Sequence, residues 1–274
     1  MRYAAGMDDA EPEITWLTRP DGVRLAMRHD PGDGPGIVFV HGLMSHMQGE
    51  KARFLSRHAR TKGWDCLRLD LSGHGRSEGA LEACSIGGWR DDVLLALDRH
   101  LPQRAILVGS SIGGWIALLA ALARPERVAG LLLIAPAPDM TRRVAASLPR
   151  EVREALAREG VWLLPSRYGV SILVTRHMLD DGERLCLLDG PIALSCPVRI
   201  LHGQLDPDVP WQGSLRLAEC LRSADVQTIL LKQGDHRLSR PHELALLIRS
   251  LGALRDTVRD PARAQDATGT AASS

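Results

Sequence analysis

Apolar residues in this chain gather in short solid runs separated by longer amphipathic stretches. After a turn-rich segment at 31–36 comes Ile37-Val38-Phe39-Val40, with no polar position on either face. Similar runs recur at 66–71, 105–108, 128–134, 198–201 and 226–231. A strand buried on both faces reads this way, and such strands belong to parallel sheets. Two earlier strands, 13–19 and 23–30, flank the hairpin turn Arg19-Pro20-Asp21-Gly22. Helical spacing occupies about 51–62, 86–100, 112–124, 211–222 and 241–256. Strands alternating with helices predict an α/β protein, a mostly parallel eight-stranded sheet with helices on both faces.

One interval breaks the rhythm. Residues 139–195 show no good strand and carry amphipathic helix formers at 141–159 and 170–179. They are expected to form a small helical cap inserted between core segments 1–138 and 196–256. Residues 257–274, rich in Ala, Ser, Thr, Asp and Arg without periodicity, read as a disordered tail.

Composition narrows the function classes. The 274 residues carry a net charge of +1 with basic residues scattered, which leaves no footprint for nucleic acid. The apolar runs are too short to span a membrane. The N-terminus, MRYAAGMDDAEPE, lacks a secretion core, and its acids argue against a transit peptide. A cytoplasmic protein is expected, and the Arg- and Ala-rich composition points to bacteria. Five cysteines without a CxxC pair suit reduced thiols, and no His/Cys spacing supports a metal. No cofactor is called for.

The chemistry gathers on Gly109-Ser110-Ser111-Ile112-Gly113, between a buried strand and an Ala/Leu-rich helix. GxSxG at a strand–helix junction is a nucleophile elbow, where the glycines let the chain turn tightly and lift the serine oxygen clear. The register selects Ser111, because Ser110 would need glycine at 108, which is valine. A serine near neutral pH needs a base, and the base needs an orienting acid. His236, between the final strand and the last helix, supplies the base. Asp206 follows the preceding strand as the acid, with Asp208 and Asp139 as rivals. Asp235 and the glycine-rich turn from Asp70 to Ser77 read as architecture. The oxyanion would take backbone N–H groups from Ile112 and from Leu43, in the loop His41-Gly42-Leu43-Met44-Ser45, with His41 structural.

With these pieces in place, the chain resembles the branch of the α/β-hydrolase superfamily that contains a mitochondrial acyl-protein thioesterase also active on acyl glucuronides. The resemblance runs from about Val38 to Leu251. It rests on Gly42-Leu43-Met44-Ser45 with Met47, Gly49 and Lys51, on Gly88-Trp89-Arg90, and on the string from Leu107 to Trp115. Gly160-Val161-Trp162, Pro165-Ser166-Arg167-Tyr168, Leu201-His202-Gly203, Val209-Pro210-Trp211 and Asp235-His236-Arg237 extend it. Carried over by motif, the resemblance implies Ser111 as nucleophile, Asp206 as acid and His236 as base. It also implies hydrolysis of acyl esters or thioesters, S-palmitoyl cysteine among them. The chain departs from that branch at its N-terminus and in its polar tail.

Met44, Met47, Trp162, Leu163, Leu164 and Trp211 are expected to line an acyl pocket, and Arg167 to meet a substrate carboxylate. A C–C bond or other small-metabolite hydrolase, and a non-catalytic binding protein, are the competing readings. Aspartate-nucleophile chemistries of this fold are disfavoured by Ser111.

Overall fold

The computed structural model describes residues 11–164 and 171–259. Its sheet has eight strands: β1 (Thr15–Thr18), β2 (Arg24–Asp30), β3 (Asp33–Val40), β4 (Trp64–Leu69), β5 (Ala105–Ser110), β6 (Val128–Ile134), β9 (Val198–Gly203) and β10 (Val226–Leu231). They lie in the order β1-β2-β4-β3-β5-β6-β9-β10. Only the β1–β2 and β2–β4 pairings are antiparallel. From β4 to β10 every pairing is parallel, so the loops after those strands leave along one edge.

Alternation along the central strands divides the core in two. Ile37, Phe39, Ile106, Val108, Leu132 and Ile134 face one way, toward Leu55 of α1 (Glu50–Thr61) and Leu247 and Leu251 of α8 (Pro241–Arg259). Val38, Val40, Leu107, Leu131 and Leu133 face the other. There they meet Trp89 of α2 (Ile86–His100), Trp115 of α3 (Ile112–Ala123) and Leu217 of α7 (Gln212–Cys220). Each central strand is therefore apolar on both faces because both faces are covered.

Between β6 and β9 the chain forms α4 (Met140–Ser147), α5 (Arg150–Glu159) and α6 (Arg176–Arg184). It also forms an antiparallel hairpin of β7 (Val161–Leu164) and β8 (Ile172–Thr175). The expectation that 139–195 holds no strand is corrected here. Val-Trp-Leu-Leu and Ile-Leu-Val-Thr are runs too short for period to separate strand from helix, and their β-branched content favours strand. The helix expected over 170–179 accordingly begins at Arg176. The stretch 141–159 divides into two helices at Pro149, the N-cap of α5, because proline lacks the N–H that helix continuation needs.

The tail expected from residue 257 overlaps the last helix. α8 continues to Arg259, with Val258 packed on the core and the Thr257 hydroxyl bonded to the Ala253 carbonyl at 3.0 Å. Residues 260–274 lie outside the described residues.

Candidate active site

Ser111 follows β5 and caps α3 with φ 57° and ψ −123°, a region that side chains other than glycine seldom adopt. Backbone bonds hold it there. Its N–H donates to Ile134 O at 2.9 Å, and its carbonyl accepts from Gly114 at 2.9 Å and Ala137 at 3.1 Å. Neither flanking position has room for a side chain. A Cβ on Gly109 would lie 2.4 Å from Gly113 O, and one on Gly113 would lie 2.3 Å from Val40 O. The GxSxG spacing is therefore a packing requirement.

His236 reaches this serine from the loop after β10, with Nε2 3.1 Å from Ser111 Oγ. Its Nδ1 lies 2.7 Å from Asp206 Oδ2, in the loop after β9. The Asp206 side chain is fully buried. Its other oxygen accepts the N–H groups of Asp208 and Val209, each at 2.8 Å. Burial pushes this carboxyl upward. Bonds from His202 and His236, the His236 charge and the Val209 N–H outweigh that and hold it far below the usual carboxylate range.

The rival acids sit differently. The Asp139 carboxylate accepts the N–H groups of Leu187 and Leu188 at 2.8 and 2.9 Å. Asp208 donates its N–H to Asp206, and its carbonyl accepts from Arg143 at 3.0 Å. Asp235 closes a local turn onto Arg237 and Leu238. Among the described residues, Asp206, Asp208 and His236 offer ligand atoms within 4.8 Å of one another. Since hydrogen bonds already occupy Asp206, that grouping is a polar network more readily than a cation site.

The loop after β3 lies against Ser111. A Cβ on Gly42 would come 3.3 Å from Ser111 Cβ. His41 fixes the next peptide. Its Nε2 accepts the Leu71 N–H at 3.1 Å, so Nδ1 carries the proton and donates to Gly42 O at 2.8 Å. Burial, then the neighbouring His74, push His41 down to about 3, so the ring stays neutral. With its carbonyl held this way, the Gly42–Leu43 peptide presents the Leu43 N–H on the opposite side. The Ile112 N–H opens α3, where a helix leaves its amides without internal acceptors. Asp70 serves architecture as expected, accepting the Met47 and Arg76 N–H groups at 2.6 and 2.8 Å.

The expected pocket residues separate. Met44 and Leu163 are exposed, while Trp162 and Leu164 pack partly buried on the core. Trp211 is half-buried at the start of α7. Met47 is corrected: at 1% exposure, with both backbone polar groups bonded to Asp70 and Arg68, it is interior packing. Arg167 lies outside the described residues. The role of His202 was missed. Buried on β9, it bonds Asp206 Oδ2 at 3.0 Å, and its only sequence signal is a His-Gly pair four residues before the acid.

The alpha/beta hydrolase fold family matches residues 35–171. The chain is similar to the mitochondrial palmitoyl-protein thioesterase ABHD10 of Mus musculus, 42% identical over 245 residues, 89% of this chain and 82% of that protein. It is 39% identical over 245 residues to the Homo sapiens protein of that name, covering 89% of this chain and 80% of the other. In structure it is similar to mouse alpha/beta hydrolase domain-containing protein 10, with TM-score 0.83, 42% identity and coverage of 90% and 99% of the two chains. A putative hydrolase from Agrobacterium vitis S4 matches with TM-score 0.84, 36% identity and coverage of 89% and 98%.

Proposed function

The chain belongs to the α/β-hydrolase fold family, and from that premise we propose that Ser111, His236 and Asp206 form a triad that removes acyl groups from esters and thioesters. The carrying observation is the continuous bonding from Ser111 Oγ through His236 to Asp206, at 3.1 and 2.7 Å. His236 takes the Ser111 proton as Oγ attacks the acyl carbon, while Asp206 holds the ring in the required tautomer. The N–H groups of Leu43 and Ile112 receive the oxyanion. Collapse expels the alcohol or thiol with the proton from His236 and leaves an acyl-Ser111 ester. Water, deprotonated by His236, then attacks that ester and releases the carboxylic acid.

Relatives named palmitoyl-protein thioesterase favour a long acyl chain on a protein cysteine. Met44 and Leu163 are exposed and Trp162 and Trp211 half-buried, apolar side chains of the kind that suits such a chain. Residues 139–195 we assign as the cap over it, including the β7–β8 hairpin. Among the described residues no helix is long and apolar enough to cross a membrane. The cytoplasm is the compartment we assign, on the strength of five unpaired thiols.

A fluorophosphonate probe should label Ser111 of the folded protein, and Ser111→Ala should lower ester turnover by at least about three orders of magnitude. Turnover should rise from acetyl toward palmitoyl in parallel series of p-nitrophenyl esters and peptide thioesters. Labelling elsewhere, or activity kept by Ser111→Ala, would exclude this reading.

A further inference from the structure

Asp206 is held by two histidines on one oxygen. Oδ2 faces His236 Nδ1 at 2.7 Å and His202 Nε2 at 3.0 Å. His202 is fully buried on β9, and both of its ring nitrogens are engaged. Nε2 also lies 3.2 Å from Val209 O, so it faces two oxygens that can only accept, and it must carry hydrogen. Nδ1 lies 2.7 Å from the hydroxyl of Ser214, in the first turn of α7. A hydroxyl can donate, and that bond completes the ring's partners. The result is a chain of five groups, Ser111–His236–Asp206–His202–Ser214, with a Ser-His arm on each side of one carboxylate. The arms differ in access, since Ser214 is fully buried and cannot meet substrate, whereas Ser111 is half-buried.

We propose that His202, backed by Ser214, is a positioning residue that fixes the Asp206 carboxylate and sets how much of its charge is left for His236. This rests on reading Ser111, His236 and Asp206 as the triad. A donor on Oδ2 draws charge away from the His236 bond, and the Ser214 hydroxyl strengthens that donor by polarising the ring. The N–H groups of Asp208 and Val209 tether only Oδ1, so without His202 the one bond left on Oδ2 is that to His236, and carboxylate and base can shift together. The charged groups nearby are Asp208, Arg143 bonded to the Asp208 carbonyl, Asp235, and Lys51, whose ammonium donates to the Arg237 carbonyl. None of these is altered by a change at 202 or 214, so a shift in pH response reports the carboxylate.

The experiment measures kcat and KM against pH, with a p-nitrophenyl ester, for the whole chain and for His202→Leu, His202→Gln and Ser214→Ala. His202→Leu should lower kcat about tenfold with little change in KM, since it removes one bond to a charged group. Losing the donor leaves more charge facing His236 and favours its protonated form. The acid limb of kcat/KM should therefore move up by about half a pH unit. His202→Gln, which keeps an N–H toward Oδ2, should recover most of both effects. Ser214→Ala should move the limb the same way by less. An unmoved acid limb in folded His202→Leu, or glutamine no better than leucine, overturns the inference. Should His202→Leu fail to fold, an unmoved limb in Ser214→Ala overturns it. Fluorophosphonate labelling of the unsubstituted chain separates the two failures. Unlabelled Ser111 removes the triad reading and this one with it, whereas labelled Ser111 with an unmoved limb removes this one alone.

Discussion

At the scale of single residues, the site turns on how many donors one carboxylate can hold. Asp206 accepts from two ring nitrogens and two backbone amides, which uses its lone pairs and leaves the side chain one orientation. Asp206→Asn would put an amide N–H against His236 Nδ1 or break the His202 bond, and either outcome spoils the tautomer that the base requires. Steady-state turnover should fall by about four orders of magnitude. Asp208→Asn leaves its own backbone N–H on Asp206 and should cost less than about tenfold. Equal losses in the two variants would move the acid to Asp208. The elbow that holds Ser111, the nucleophile we propose, was legible in the sequence because its glycines are enforced sterically, and a steric rule leaves a fixed spacing. His202 was not, because nothing in a His-Gly pair at a strand end says that the ring turns back onto an acid in the following loop. That contact is made by the fold of the loop from Gln204 to Pro210, which no periodicity encodes.

At the scale of elements, the segment between β6 and β9 is tied to the core by polar bonds at defined points. Asp139, with φ 56° after β6, holds the N–H groups of Leu187 and Leu188 where the segment returns. Asp181 of α6 accepts the Gly87 N–H at 2.7 Å, and Trp115 Nε1 donates to Leu185 O at 3.3 Å. Arg143 of α4 reaches the carbonyl of Asp208 beside the acid. Asp139→Ala takes the acceptor from two half-buried amides, and a urea midpoint should report a loss of about 1–3 kcal/mol. Esterase activity in the folded variant should persist, because Asp139 has no bond to His236; its abolition would return Asp139 to candidacy as the acid. This segment was also the least legible. The core strands are solid apolar runs whose neighbours cover both faces, whereas β7 and β8 are four-residue strands set between amphipathic helices. A window long enough to detect a helix averages over them.

At the scale of the whole molecule, stability in acid follows from histidines that the fold keeps neutral. His41 is pushed down to about 3 by burial and then by His74, and His74 is itself lowered, mainly by burial. The two rings lie 5.1 Å apart, so protonating one opposes protonating the other. Near them stand Asp70, which partly offsets the effect on His74, and His46, which adds to it on His41. In the unfolded chain these rings take up protons below about pH 6.5, whereas in the folded chain His41 stays neutral down to about 3 and His74 is lowered as well. The contribution of these two rings is therefore undiminished above that value. It falls on acidification by about 1.4 kcal/mol per pH unit for each proton bound only by the unfolded chain. Buried Asp92 and Asp139 are raised and act in the opposite sense, but only as they begin to take up protons. Two proteins that share those acids and differ only at 41 isolate the share of His41 between pH 6.5 and 5. His41→Asn removes one of these protons while offering an amide N–H near the position of Nδ1. Urea unfolding of the two proteins across that range should give a shallower loss for the variant, by close to one proton's share. Parallel losses would mean that His41 is charged in the folded protein. A charged ring could not accept the Leu71 N–H, and the peptide that presents Leu43 would lose the anchor on which the oxyanion assignment depends.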